Sequence, residues 1–334
     1  MSKVFVSVVI PVYREKDLLH ETIKSCLSQT FKEKYEILLV DNNCDEESRS
    51  ILMEYQNNHP EIVRVLKETR QGAPSARNAG ILESRSDYIA MMEGDDIMYP
   101  DRLEIQYGYF KRVEQDISLL SSYYDLIDWE NRSVIGQVKK DRPFWMEALK
   151  IKDMYRSHPS TWFFKKQNAQ RVGFFNEAFN PRLVEDDEFN FKMFFTGRFE
   201  CVEKSLVRVR LPSKSYNRTK MEQVSSLDIL QKLDLFFNIL KKKLNDEKEK
   251  VTFEPQGFRK IRSQWLREMG VGFMRNRNGM TVARHFLKNA VQEDVWDLKN
   301  WKWLFRSYFT KRNSLENRII DENELSYLLT HKFF

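Results

Sequence analysis

No stretch of this 334-residue chain approaches the roughly 20 consecutive apolar residues of a membrane-spanning helix. The amino-terminal MSKVFVSVVIPVYREKD has a short apolar run, broken by Pro11 and followed at once by charge. It carries no small-residue cleavage site, so it does not read as a secretory signal. These absences predict a protein that is soluble or at most rests on a membrane surface. Cysteine is scarce: Cys26, Cys44 and Cys201 are odd in number and form no CxxC pair, which excludes a disulfide framework and predicts a reducing, cytoplasmic compartment. The five histidines show no HExxH-type spacing. No GxGxxG follows the first apolar run and no GxxxxGK[ST] occurs, which disfavours dinucleotide hydride transfer and Walker-type ATP hydrolysis.

What is present is globular: 41% hydrophobic and 31% charged residues, in a length suited to one large domain plus an appendage or to two domains. The net charge of +6 is uneven. Residues 257–313 hold 13 Lys and Arg against 4 Asp and Glu, or +9, which leaves −3 for the remainder.

Residues 4–10, VFVSVVI, are apolar on both faces and predict a strand buried on two sides, as in a parallel sheet. A helical stripe follows over 15–29, with Leu18, Leu19, Ile23, Cys26 and Leu27. The unit then repeats: strand 35–40, helix 45–57, strand 62–67, helix 74–83, strand 87–92. Such alternation predicts right-handed crossovers and a doubly wound, mostly parallel α/β sheet. Beyond Pro100 it fades. Residues 101–114 read as a helix, 117–129 as extended, and 158–180 as a strand or loop followed by a short helix. From Leu227 onward the pattern is helical, with KKKLNDEKEK (241–250) as a linker or an exposed helix face.

On that frame the polar clusters PVY (11–13), DNNC (41–44), ETRQGAPSARN (68–78) and EGDD (93–96) all fall at carboxyl ends of strands, the edge where open α/β sheets bind ligands. In EGDD, Glu93, Asp95 and Asp96 crowd together, and like charges that close oppose ionisation unless a cation lies between them. One reading is a helix N-cap. The other, favoured by the position at the crevice, is a set of hard oxygen donors for Mg²⁺ or Mn²⁺ on a diphosphate. Asp41 suits either a base or ribose contact or an Asx turn, with Asp45 capping the next helix. Arg77 suits either a diphosphate or base contact or a surface helix. Four acids, Glu185, Asp186, Asp187 and Glu188, open a predicted helix in LVEDDEFNFKMFF (183–195). Two are explained by the helix dipole; four exceed what capping needs, and one carboxylate there suits a general base.

The pieces VSVVIPVYREKDLLHETIKSCLSQTF, YEILLVDNN, RQGAPSARNAGILESRSDYIAMMEGDDIMYPDRLE, VGFFNEAF and EDDEF, in that order, resemble the family-2 inverting nucleotide-sugar glycosyltransferases of the GT-A fold, over about residues 4–215. The resemblance implies a GT-A domain over 1–220, with a nucleotide-binding half (1–100) and an acceptor half (101–220), and a helical region over 221–334. It implies that Pro11, Val12 and Tyr13 line the base pocket, Asp41 contacts the base, Arg77 the nucleotide and Asp95 the ribose. Asp96, with Glu93, would hold the metal ion; Asp186 would be the base, with Glu185 as support. Glu93 departs from the family's usual Asp, and SLVRVRLPSKSYN (205–217) lacks the family's late histidine, leaving Arg210 and Lys214 as diphosphate contacts. His158, in HPSTW, is the one histidine on the acceptor side and reads as structural.

The implied donor is a nucleotide-sugar, UDP-linked, and the acceptor a glycan or lipid-linked hydroxyl in bacterial surface-polysaccharide or lipopolysaccharide synthesis. The rival enzyme reading is a sugar nucleotidyltransferase, which would need a Lys- or Arg-rich phosphate loop where this chain has PVYREKD. The rival outside enzymes is a silent nucleotide-binding adaptor. Trp265, Trp296, Trp301 and Trp303 lie among the basic residues of 257–313, a pattern that suits packing against the catalytic domain or an anionic membrane surface. No nucleic-acid motif accompanies the charge, and no nucleic acid is expected as a partner.

Overall fold

The computed structural model describes residues 3–16, 18–113, 117–128, 132–140, 157–180, 184–211, 226–247, 257–274 and 280–309. The chain forms two compact units, one of residues 1–141 and 155–213, the other of 142–154 and 214–334.

The first unit is built on strands β1 (Val6–Val12), β2 (Tyr35–Asp41), β3 (Val63–Lys67) and β4 (Tyr88–Met91), with helices α1 (Leu18–Leu27), α2 (Glu46–Asn58) and α3 (Ala73–Glu83) between them. Every residue of β1 and β2 is buried, the result of covering a β-branched and leucine-rich ribbon on both faces. The two pair in parallel from Val6 opposite Tyr35 to Val12 opposite Asp41, so their polar termini emerge side by side. Asp45 caps α2 by accepting the Ser48 N–H at 2.9 Å. Gly80 sets how closely α3 lies on the sheet: a Cβ there would stand 2.3 Å from Val9 Cγ1.

After β4 come β5 (Ile97–Met98), α4 (Arg102–Arg112), β6 (Ile117–Ile127), β7 (Val134–Val138), β8 (Phe163–Lys165), α5 (Lys166–Arg171), α6 (Glu185–Phe194) and β9 (Arg198–Arg210). Among the described residues the strands form one nine-stranded sheet in the order β3-β2-β1-β4-β8-β6-β9-β5, with β7 paired to β6. The β3-β2-β1-β4 portion is parallel and β6 also runs parallel to β9, while β8, β7 and β5 join antiparallel. This is an α/β sheet of GT-A type. The antiparallel additions lie where the βα alternation of the sequence fades. A 13-residue strand at 198–210 and a hairpin strand at 134–138 were not expected from it; β9 has polar residues on both faces, so its period is masked.

β5 is only two residues long, yet it decides the geometry of the site. It pairs with β9, Ile97 opposite Arg208 and Met98 opposite Val207, and so draws the turn between β4 and β5 against the end of β9. A second apolar cluster fixes α6: Phe189 stacks on Phe175 at 4.0 Å and on Trp162 at 5.6 Å.

The second unit contains α7 (Ser226–Asp246), α8 (Gly257–Met274), α9 (Met280–Glu293) and α10 (Leu298–Phe309). Phe236 of α7 stacks on Trp265 of α8 at 5.5 Å, and Arg262 joins Asp234 to Glu293 at 2.7 and 3.1 Å. Residues 241–246 continue α7, while 248–250 lie outside the described residues. Among the described residues no helix is long and apolar enough to cross a membrane.

Gly80→Ala is expected to lose about 1–3 kcal/mol in chemical denaturation, because the added methyl overlaps Val9. Combining it with Val9→Ala should cost less than the sum of the two single changes; strict additivity would show that Gly80 is not a packing constraint.

Candidate active site

The turn that follows β4 is held from three sides. Thr22 of α1 donates to the carbonyls of Gly94 and Asp96 at 3.0 and 2.7 Å. Ser160, in a 3-10 turn over Pro159–Thr161, accepts the Glu93 N–H at 3.0 Å and donates to Asp96 Oδ2 at 2.5 Å. From the end of β9 the Arg210 N–H donates to Asp96 Oδ1 at 3.0 Å. Asp96 is almost wholly enclosed. Burial first, and then the neighbouring Asp95 and Glu93 carboxylates, push its carboxyl well above the ordinary range, although the Ser160 and Arg210 hydrogen bonds act against this. His158 brings Nδ1 to 3.5 Å from Asp96 Oδ2; the same nitrogen accepts the Ser160 N–H at 3.3 Å, and the ring tilts on Tyr124.

Arg77, near the start of α3, has no exposed side-chain surface. Its guanidinium joins Glu93 at 2.9 Å, Asp186 at 2.8 Å and Glu185 at 3.3 Å, and stands over the Phe175 ring at 5.2 Å. Burial alone would disfavour its charge, but Asp186, Glu93 and Glu185 outweigh that and raise its pKa. The carboxylates arrive from two places. Glu93 leaves the β4 end on its longer arm; Glu185 and Asp186 open α6, whose first turn also carries the buried Asp187 and Glu188. The residue before them, Val184, sits in the left-handed region at φ 53°, which for a β-branched side chain is strained.

The remaining residues expected at the site sort by their surroundings. Pro11 and Val12 are buried at the end of β1, and Tyr13, half-buried, lies under Arg14 at 4.7 Å. Asp41 accepts from Arg49 Nε and from the Cys44 N–H, both at 2.8 Å; burial pushes its carboxyl up, but these bonds together hold it below its ordinary value. Arg210 donates through Nε to the Asp95 carbonyl and through Nη2 to Glu21, both at 2.5 Å. Its Nη1 is buried and has no hydrogen-bond partner among the described residues. Lys214 lies outside the described residues. Arg77, expected on the nucleotide, is thus an internal ion-pair centre, and Glu93, expected on the metal, is one of its partners. Ser160 and Thr22, which reach the acidic turn, and Glu21, which reaches Arg210, went unnoticed in the sequence because each contact arises only through the tertiary fold.

A divalent cation suits Asp96, whose buried carboxylate is crowded by two others. Among the described residues no group of three or more His, Cys, Asp and Glu side chains forms a metal cage, but magnesium commonly takes one or two protein carboxylates and fills its sphere with phosphate and water.

The sequence profile of glycosyl transferase family 2 matches residues 7–177, more than half of the chain and every element that builds the β1–β4 edge. The chain belongs to glycosyl transferase family 2. An uncharacterized glycosyltransferase of Methanocaldococcus jannaschii is 29% identical over 234 residues, covering 68% of this chain and 78% of that one. A poly(ribitol-phosphate) beta-glucosyltransferase of Bacillus spizizenii is 34% identical over 116 residues, 34% of this chain and 18% of that one. Among solved structures, S. aureus TarS 1–349 in complex with UDP-GlcNAc superposes with a TM-score of 0.51 at 13% identity, covering 97% of this chain and 78% of that chain. At that identity the likeness is one of fold. Within this glycosyl transferase family 2 chain, the profile spans Arg77 and the acidic turn but ends short of Asp186 and Arg210.

Two expectations follow. Arg77→Met strands three largely buried carboxylates and should cost about 3–5 kcal/mol of stability near neutral pH. Part of the loss should return as the pH is lowered and the acids take up protons, read as melting temperature against pH. Asp96 has a raised pKa in the folded protein, so its contribution to stability is fully present below its unfolded pKa and is lost as the pH rises toward the folded value. Asp96→Asn in chelator should therefore melt at or above wild type, by a margin that widens with pH; a margin constant across pH would contradict the burial of an uncompensated carboxyl.

Proposed function

We propose that the protein transfers a sugar, with inversion, from a nucleoside-diphosphate sugar to a hydroxyl of a glycan or lipid-linked acceptor. The observation that carries this reading is Arg77, whose one guanidinium bonds both Glu93, from the acidic turn, and Asp186, from the start of α6. Two acidic motifs some ninety residues apart in the sequence are thereby brought to one place at the ligand-binding edge of a GT-A sheet.

In the proposed reaction Asp186 accepts the proton of the acceptor hydroxyl, whose oxygen attacks the anomeric carbon from the face opposite the diphosphate. The bond between that carbon and the diphosphate oxygen breaks, and the nucleoside diphosphate departs with the electron pair. Arg77 holds Asp186 in place and supplies its counter-charge, with Glu185 as the second acid on the same fork. Arg210 offers the diphosphate its unengaged Nη1 donor. Asp41, with the ends of β1 and β2, faces the nucleoside. Asp96 would hold Mg²⁺ or Mn²⁺, with Asp95 beside it; such an ion would offset the charge of the leaving diphosphate. Glu93 is committed to Arg77 and is left out of the ion's sphere.

UDP as the nucleotide is supported by TarS, a fold neighbour whose complex contains UDP-GlcNAc. Cell-surface polysaccharide as the setting is supported by the Bacillus spizizenii relative and by a minor teichoic acid biosynthesis protein of Bacillus subtilis, 31% identical over 123 residues.

A panel of nucleotide-sugars, with Mg²⁺ or Mn²⁺ and candidate acceptors, assayed for nucleotide release tests the proposal. Asp186→Asn should lower turnover by roughly 10²–10⁴-fold with nucleotide binding kept, and the product linkage should be of opposite anomeric configuration to the donor. Undiminished turnover in the variant removes Asp186 as base; retention of configuration removes the single displacement; nucleotide binding without release from any donor favours the adaptor.

A further inference from the structure

Helix α10 carries its polarity the wrong way round for a helix of a water-soluble bundle. Its most deeply buried positions are polar, with the half-buried Trp303 and Leu304 between them. Asn300 and Ser307 are fully buried. Asn300 donates to Ser263 Oγ at 2.7 Å and to the Ala290 carbonyl at 3.0 Å, and accepts from Arg267 at 2.8 Å; the Ser307 carbonyl accepts from Arg284 at 2.9 Å. Hydrogen bonds thus fasten α10 to α8 and α9. Its outer face is apolar: Leu298, Phe305 and Phe309 are 80%, 57% and 79% exposed, and Tyr308 49%. With the half-buried Trp301 they recur every three or four residues and form one continuous stripe. Six of the ten large exposed hydrophobic residues found among the described residues fall in 295–309, including Trp296 at 88% in the turn before the helix.

Charge decides what such a stripe faces. Lys299, Lys302 and Arg306 follow one another at helical spacing along its flank, and α10 contains no Asp or Glu. Of the nearby acids, Asp297 pairs with Arg267 and accepts the Lys299 N–H, and Asp294 accepts the Trp296 N–H, while Arg306 stands over the Trp303 ring at 5.0 Å. An aromatic stripe flanked by cations matches the boundary of an anionic bilayer, where rings enter the acyl region and Lys and Arg meet lipid phosphates. Aromatic residues and arginine also suit a protein interface, but lysine is depleted there, and the two lysines on the flank tip the choice toward lipid.

We propose that α10 is a membrane-docking helix that lies in the surface of an anionic lipid bilayer, with Leu298, Trp301, Phe305 and Phe309 inserted and Lys299, Lys302 and Arg306 on the headgroups. This is independent of the reading of the active site, because its test reads binding and not turnover.

The test is co-sedimentation of the full chain with vesicles of phosphatidylcholine alone or mixed with phosphatidylglycerol, at low and high salt. Wild type should partition onto the anionic vesicles, weakly onto the neutral ones, and less at high salt. Lys299→Glu, Lys302→Glu and Arg306→Glu together should weaken partitioning on the order of a hundredfold. Phe305→Ser with Phe309→Ser should weaken it at least about tenfold. All five positions are exposed, so both variants should keep the wild-type circular dichroism, and the wild-type comparison of lipids decides even if one does not. Equal partitioning onto both vesicles, none onto either, or a dimer in solution that the phenylalanine variant dissociates would overturn the proposal.

Discussion

The buried guanidinium of Arg77 is the constraint on which the site depends. A cation without exposed surface is tolerable only with compensation, and here it comes from Glu93 and from the Glu185–Asp186 pair. Those carboxylates in turn tolerate burial because the guanidinium is rigid and forked, able to serve acids from different directions at once. The arrangement is mutual: Arg77 compensates the carboxylates at the start of α6 and Glu93 of the acidic turn, and they compensate it. Phe175 beneath the guanidinium ties this pair of segments to the stacked Phe189 and Trp162, so charge and core are coupled at one point.

The acidic turn divides its carboxylates by reach. Glu93, one methylene longer than aspartate, extends to Arg77, whereas the hydrogen bonds to Asp96 among the described residues come from neutral donors, Ser160 Oγ and the Arg210 N–H, with His158 at the edge. Neutral hydrogen bonds orient a carboxylate without cancelling its charge. Arg210 lies close, but its charged end goes to Glu21 and the Asp95 carbonyl. The aspartate is therefore held in one orientation and left short of positive charge. In the proposed reaction that is the electrostatic condition under which a divalent ion would bind, with the longer Glu93 turned away toward Arg77.

Much of this was legible in the sequence, and the part that was not has a physical cause. The runs VFVSVVI, YEILLV, IVRVLK and DYIAMM announce a parallel sheet because strands covered on both faces have no polar side to interrupt them, and the clusters at their ends follow from that. The four acids of α6 were conspicuous because capping needs fewer. What sequence could not give is the direction of a side chain. Arg77 begins no motif that separates a ligand contact from an internal ion pair, and only the close approach of α3 to β1 across Gly80 and the stacking of Phe175 turn it inward. β9 was hidden because its alternation is irregular, and with it went the pairing that sets Arg210 beside Asp96. Ser160 and Thr22 are single hydroxyls whose roles arise from contacts 64 to 74 residues away.

The adaptor reading meets its difficulty at the same place. A protein that only held a nucleotide would need the ends of β1 and β2 and a few donors for phosphate. It would gain nothing from gathering Glu185, Asp186, Asp187 and Glu188 into the buried first turn of α6, since each ionised carboxylate removed from water is a cost that apolar residues of similar size would avoid. A helix dipole offsets a fraction of that cost, Arg77 serves two of the four, and Lys192 pairs with Glu188 at 3.0 Å. Strained backbone at Val184 adds to it. Expense of this kind, concentrated beside a ligand-binding edge, weighs toward a working transferase over a silent relative that keeps only the fold.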